Sequence, residues 1–156
     1  MLAFLRDRND AQSVVDIFDK LESTLGRSKF ATLFHVVLGD NGSEFTYVDA
    51  LEANHRKLQR CHFFYCDVRA SQQKGKLEKN HEFIRKYFPQ GTSLNSLTQK
   101  DVDMMINHIN STKRESLGGK SPIECLTKSQ KGAMKKLGYF EIAPQQVISN
   151  PSLFRK

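Results

Sequence analysis

"LFHVVLGDNGSEF", residues 33–45, passes from a β-branched apolar run into a polar loop in which Asp40 stands between two glycines. Residues 33–38 are β-branched, apolar and too short for a helix, so they predict a strand. Asp40 then falls just past the strand's carboxyl end, where α/β sheets place their sites. Asn41-Gly42 also reads as a tight turn, because both residue types tolerate positive φ. A turn residue and a metal ligand are therefore both open readings of Asp40.

The flanking chain predicts what the strand packs with. "MLAFLRD", residues 1–7, reads as a strand that begins at the first residue. Asn9 or Asp10 then caps a helix with Val14, Ile17, Phe18, Leu21 and Leu25 on one face and Gly26 as its stop. Residues 48–60 predict an exposed helix, and "CHFFYC", residues 61–66, a second strand that delivers Asp67 to its end. Strand and helix alternate, which predicts an α/β sheet with helices packed on it. Leu77, Ile84 and Phe88 mark the buried stripe of a helix that Pro89 and Gly91 end, with Glu78, His81, Glu82 and Arg85 on a neighbouring face. A further helix runs from Thr98 to Ser111 with Val102, Met105, Ile106 and Ile109 at core spacing, and "SQKGAMKKLG" is a short basic helix.

The chain has 156 residues, enough for one domain with a real core, and no internal repeat. With 24 Lys and Arg against 17 Asp and Glu it carries a formal charge of +7, which favours polyanionic partners such as nucleic acid. No secretory leader pattern opens it and no apolar run approaches the roughly 18 residues of a membrane span, so a cytoplasmic protein without a membrane partner is expected. Cys61, Cys66 and Cys125 lack the spacing of a disulfide framework and suit a reducing compartment. Zinc would need a second Cys or His pair beyond "CHFFYC", so buried strand cysteines are the expectation.

Two-metal phosphoryl chemistry needs clustered carboxylates, since Mg²⁺ takes hard oxygen ligands and the ions must neutralise both attacking and leaving oxygens. Asp40 at a strand end and Glu78 near the start of a helix can meet at one sheet edge. Glu78 in a helix's first turn also complements the helix dipole, so that reading stays open. Asp67, at the end of the second strand, is a further carboxylate that could complete such a site.

Three ordered stretches, "LGDNGSEF", "CDVRASQQKGKLEKNHEFIRKYFPQGTSLNSLTQKDV" and "INHINSTKRESLGGKSPIEC", together resemble the catalytic core of an IS-thirty-type insertion-sequence transposase, within the retroviral-integrase-like Asp-Asp-Glu superfamily. The resemblance covers most of residues 1–126, leaving 127–156 as a peripheral helix and tail. It implies a ribonuclease-H-like α/β fold and, in a complete enzyme, cleavage and strand transfer at transposon ends with Mg²⁺ or Mn²⁺. Asp40, in the Asp-Asn-Gly-x-Glu-Phe signature, matches the second acidic residue of the triad. Glu78, three residues after Gly75, matches the third. Lys74, Lys76 and Arg85 become candidate DNA-backbone contacts, with solvated surface charge as the plain alternative. His81 is expected to be an ordinary helix-surface histidine.

The match has departures. "MLAFLRDRNDAQSVV" resembles the third strand and following helix of the core, so the first two strands, their catalytic aspartate and the family's helix-turn-helix region have no counterpart here. Asp7 and Asp10 sit at the wrong place in that order to replace it. Gly39 stands where Thr is usual, Val68 where Pro is usual, and Gln72 where an aromatic is frequent. The expectation is an amino-terminally truncated core, inactive alone, whose DNA partners would be transposon ends and target. The alternative is a noncatalytic DNA-binding or interaction module that interferes with full-length transposase or self-associates across an exposed sheet edge.

Overall fold

A computed structural model describes residues 1–66 and 80–154, which fall into two compact units. Asp67, Lys74, Lys76, Leu77 and Glu78 lie outside the described residues.

The unit Arg6–Ser71 is built on helix α1, Ala11–Leu25. Asp10 caps it by accepting from the Ser13 N–H at 2.8 Å, and Gly26 ends it at φ 83°. Its buried face carries Val14, Val15, Leu21 and Leu25, the spacing of a helix that packs on a sheet. Helix α2, Arg27–Leu33, follows directly, so Leu33 belongs to a helix and Phe34 is its cap. The strand expected over 33–38 is therefore shorter at its start: β1 is Val36–Gly39. The reason is aromatic packing, since Phe34 stacks against Phe30, with ring centroids 5.0 Å apart, and its N–H closes on Phe30 O.

Strand β1 pairs in parallel with β2, His62–Tyr65, in the register Val36 with His62 through Gly39 with Tyr65. One face of this two-stranded sheet turns Val37 and Phe63 onto Val14, Val15 and Leu51. The other leaves Val36, Leu38 and Phe64 more than half exposed, at 54%, 56% and 53%. The expected exposed helix over 48–60 is corrected. Helix α3 is only Val48–Glu52, and Leu51 on it is fully buried. Asn54 stops it, because its side chain accepts from the N–H groups of Arg56 and Leu58 and offers the backbone a turn in place of a helix.

The second unit joins Met1–Leu5 to Gln72–Lys156. Residues 80–85 are helical and are labelled α4. Helix α5, Gln99–Ser111, opens with a capping box between Thr98 and Asp101. Its Val102, Met105, Ile106 and Ile109 form a core with Tyr87 and Tyr139, as the spacing predicts. Helix α6, Lys128–Lys136, has its own box between Thr127 and Gln130. Tyr139, Met134, Leu137 and Phe154 bring the carboxyl-terminal residues into the same cluster.

Residues 1–5 are not the strand that their apolar run predicts. Side-chain amides of α5 take the role of a neighbouring strand. Asn110 donates to Met1 O at 2.8 Å and accepts from Met1 N at 2.6 Å; Gln99 donates to Ala3 O at 3.1 Å and accepts from Leu5 N–H at 2.9 Å. The same device holds residues 140–148. Asn107 accepts from Phe140 N–H, Ser111 from Ile142 N–H, and His108 Nδ1 from Ile148 N–H at 3.1 Å. Buried backbone donors must find partners, and here helix side chains supply them.

His108 gives this unit a pH dependence. Burial pulls its pKa below the ordinary 6.5, and its bond to Ile148 requires an unprotonated Nδ1. The unfolded chain takes up a proton near the ordinary value while the folded chain does not, so this contribution is whole above that value and is lost as pH falls below it. The loss runs at up to about 1.4 kcal/mol per pH unit. Melts at about pH 7.5 and about pH 5.5 should show a smaller acid drop for His108→Gln than for the unaltered chain. Equal drops would remove His108 from the account.

Candidate catalytic centre

Strand β1 delivers Asp40 to the exposed end of the sheet, as its sequence predicts. The Cys66 N–H donates to Gly39 O at 2.8 Å, so parallel pairing continues up to the residue before Asp40. Asp40 Oδ1 accepts from the Gly42 N–H at 3.1 Å, and Phe45 N–H then closes on Gly42 O at 3.1 Å. The loop is thus an Asx turn running into a single 3₁₀ turn, Ser43–Phe45. Phe45 pegs it to the core: its ring lies 5.5 Å from that of Phe63, and its carbonyl accepts from Tyr65 Oη at 2.7 Å.

The turn at residues 38–45 is observed, but not as the Asn41-Gly42 turn with positive φ that the sequence suggests: Gly42 has φ −69°, and the Asp40 side chain makes the turn instead. The turn uses one oxygen of Asp40 and leaves the other without a partner among the described residues, facing solvent. Turn and ligand are compatible roles of one carboxylate: the turn fixes its rotamer, and the second oxygen is a hard donor of the kind Mg²⁺ prefers.

Glu44 is the residue that sequence reasoning passed over. A Cβ placed on Gly42 would collide with the Glu44 carboxylate and come within 3.0 Å of Asp40 Oδ1, so both acidic groups flank this glycine. The signal was present in the signature, whose acidic second half reads as well as turn composition. No group of three or more His, Cys, Asp or Glu that could hold a metal occurs among the described residues.

Of the other predicted site residues, Arg85 is exposed on α4 and forms no ion pair among the described residues. It belongs to the second unit, and Asp40 to the first. Glu78, Lys74 and Lys76 lie outside the described residues, as does Asp67. His81 is exposed on its helix. Cys61 and Cys66 are buried at the two ends of β2. Burial pushes the Cys61 thiol up to about 11, and its Sγ lies 3.2 Å from Leu51 O as a donor, the state of a core residue and not of a thiolate ligand. Among the described residues no helix is long and apolar enough to cross a membrane.

In sequence the chain is similar to insertion-sequence transposases. The chain is 30% identical over 96 residues to the transposase for insertion sequence element IS4351 of Bacteroides fragilis, a match covering 62% of this chain and 28% of that protein. It is 26% identical over 129 residues to the IS1086 transposase of Cupriavidus metallidurans, covering 81% of this chain and 34% of the relative. The chain is insertion-sequence-transposase-like. Transposase InsI of element IS30A from Escherichia coli matches at 33% over 63 residues, 40% of this chain and 16% of that one. The transposase-like chain spans about a third or less of the length of these relatives. No family model and no solved structure matches it.

Proposed function

We propose that this chain carries part of the ribonuclease-H-like catalytic core of an insertion-sequence transposase, a cytoplasmic enzyme that in intact form acts on DNA by metal-dependent phosphoryl transfer. The core would span residues 1–126, with 127–156 as a carboxyl-terminal appendage. The observation that carries this reading is Asp40: it follows the carboxyl end of a strand in a parallel pair, and an Asx turn presents its free oxygen outward.

In this reading Asp40 and Glu78 hold Mg²⁺ or Mn²⁺, which when bound activates the attacking water or 3′-hydroxyl and neutralises the leaving oxygen. The chain's own part is placement. The Asx turn fixes the Asp40 rotamer, Phe45 holds the loop down, and Lys74, Lys76 and Arg85 bind backbone phosphates of transposon end or target. The matched register holds no first carboxylate, so these residues alone supply two of three ligands and carry out no strand transfer by themselves.

Two measurements test this. Mn²⁺ should broaden the amide resonances of Asn41, Gly42 and Glu44, and Asp40→Asn should weaken that effect by at least about tenfold, the lower end of the losses seen even for changes outside the ligand set. Absence of any Mn²⁺ effect at these amides would sink the metal assignment. In a strand-transfer assay with transposon-end DNA, residues 1–156 should give no product in Mg²⁺ or Mn²⁺; a product that Asp40→Asn abolishes would overturn the inactivity.

A second reading, a noncatalytic module that binds DNA and interferes with full-length transposase, draws on the exposed face of Val36, Leu38 and Phe64. Co-purification with an intact relative, lost on Leu38→Glu, separates it from the first.

A further inference from the structure

The segment after α5 folds back tightly on Arg114. Its N–H donates to Lys120 O at 3.0 Å, and its carbonyl accepts from Leu117 N–H at 3.0 Å and Gly119 N–H at 3.1 Å. Gly118 and Gly119, at φ 62° and 79°, close the loop. The backbone of Arg114 is therefore held from both sides before its side chain touches anything.

That side chain lies over an aromatic ring. The Arg114 guanidinium carbon is 4.0 Å from the centroid of Phe83, and Lys86 Nζ is 5.4 Å from the same ring. Nε of Arg114 is buried without a hydrogen-bond partner. The terminal NH₂ groups have no acceptor and no carboxylate within salt-bridge reach among the described residues. The neighbouring acids, Glu82 and Glu115, are exposed and pair with neither cation. Lys113 and Lys120 add positive charge on the loop itself.

A partly buried arginine normally has a carboxylate, since the group is desolvated and always charged. Here two cations share one ring and no anion answers them. Stacking fixes the plane of the guanidinium, and its fork is the geometry that takes two oxygens of a tetrahedral anion side by side. We infer that Arg114, carried on Phe83 and assisted by Lys86, is a phosphate-binding site for the nucleic-acid backbone. The choice of nucleic acid as bearer of the phosphate rests on the function proposed above; the anion site rests on this geometry. Arg114 is the binding residue and Phe83 the positioning one.

Binding to a fluorescent DNA duplex across a salt series tests the site. Arg114→Gln should lower affinity on the order of fivefold and reduce the slope of log affinity against log salt by about 0.9, the signature of one lost phosphate contact. Arg114→Lys should keep the slope and recover part of the affinity, and Phe83→Leu should lower affinity with the slope unchanged. Thermal transitions of the three variants, run alongside, separate these losses from unfolding. If the unaltered chain binds DNA and Arg114→Gln matches it in affinity and slope, the site is wrong while the DNA reading stands. If the unaltered chain does not bind DNA, the DNA reading fails, and inorganic phosphate decides the site. A shift of the Arg114 Nε–H resonance with phosphate retains an anion site there; no shift overturns it.

Discussion

Replacing Arg60 with Ala is expected to remove about 3–5 kcal/mol of stability, the range for breaking a buried ion pair from one side. Arg60 is 1% exposed and all of its nitrogens are engaged. Nε donates to Leu51 O at 3.0 Å and Nη2 to Ala50 O at 2.6 Å, which ties it to the end of α3. Nη1 reaches Asp19 at 2.5 Å and Glu22 at 3.1 Å on α1. The guanidinium carbon lies 5.5 Å and 5.8 Å from the ring centroids of Phe18 and Phe30. Removing it strips the Ala50 carbonyl and two carboxylate oxygens of this donor, while Leu51 O keeps Cys61 Sγ and the other Glu22 oxygen keeps Asn54. Glu22, only 11% exposed, carries most of that penalty, and the half-exposed Asp19 carries little. Arg60→Lys should recover only a minor part, because one ammonium cannot reach four acceptors in different directions. Urea unfolding of the three proteins measures this, and a loss below about 1 kcal/mol for Arg60→Ala would show that the cluster does not hold α1, α3 and β2 together.

The second large effect is expected at Gly39. Threonine at this site should destabilise the chain by about 1–3 kcal/mol, because a Cβ there falls directly on the Phe63 ring. Phe63 is 6% exposed and packed on Val14, Val15 and Leu51, so it has nowhere to move. The glycine is therefore coupled to its aromatic neighbour. Gly39→Thr combined with Phe63→Val should be less destabilised than the sum of the two single changes. A simple sum within about 0.3 kcal/mol would mean that the two sites are independent.

Helices α1 and α5 were legible because apolar side chains recur at the helical period; the structure chooses Asp10 over Asn9 as the cap of α1 and makes Thr98 the cap of α5 and not its first residue. Strand β2 was legible from its aromatic run. The polar half of α5 was not. Asn107, His108, Asn110 and Ser111 are all buried. A sequence presents such residues as a solvent face, and only the fold shows which backbone groups they bond. For the same reason "MLAFLRD" suggested a strand: apolar alternation announces burial, while the partner that completes the ladder is written elsewhere in the chain. Residues 48–60 misled through Asn54, whose competition with the helix depends on two N–H groups downstream of it. The place of Asp40 just after a strand was readable from the sequence, whereas the surroundings of Glu44 in the first unit, and of Arg114 in the second, depend on what lies beside them in space.

Helix α5 grips its flanking segments by their main chain, a chemical group that nearly every amino acid provides identically. The backbone seat of positions 140–148 thus depends on the helix amide, imidazole and hydroxyl more than on the side chains seated there, whereas Met1, Leu2 and Ala3 add side-chain packing on the core to the same main-chain grip. Proline is the exception. At position 5, 140, 142 or 148 it would delete the one N–H that the helix recognises there. Among related chains, tolerance over 140–148 should follow the availability of that donor and not hydrophobicity.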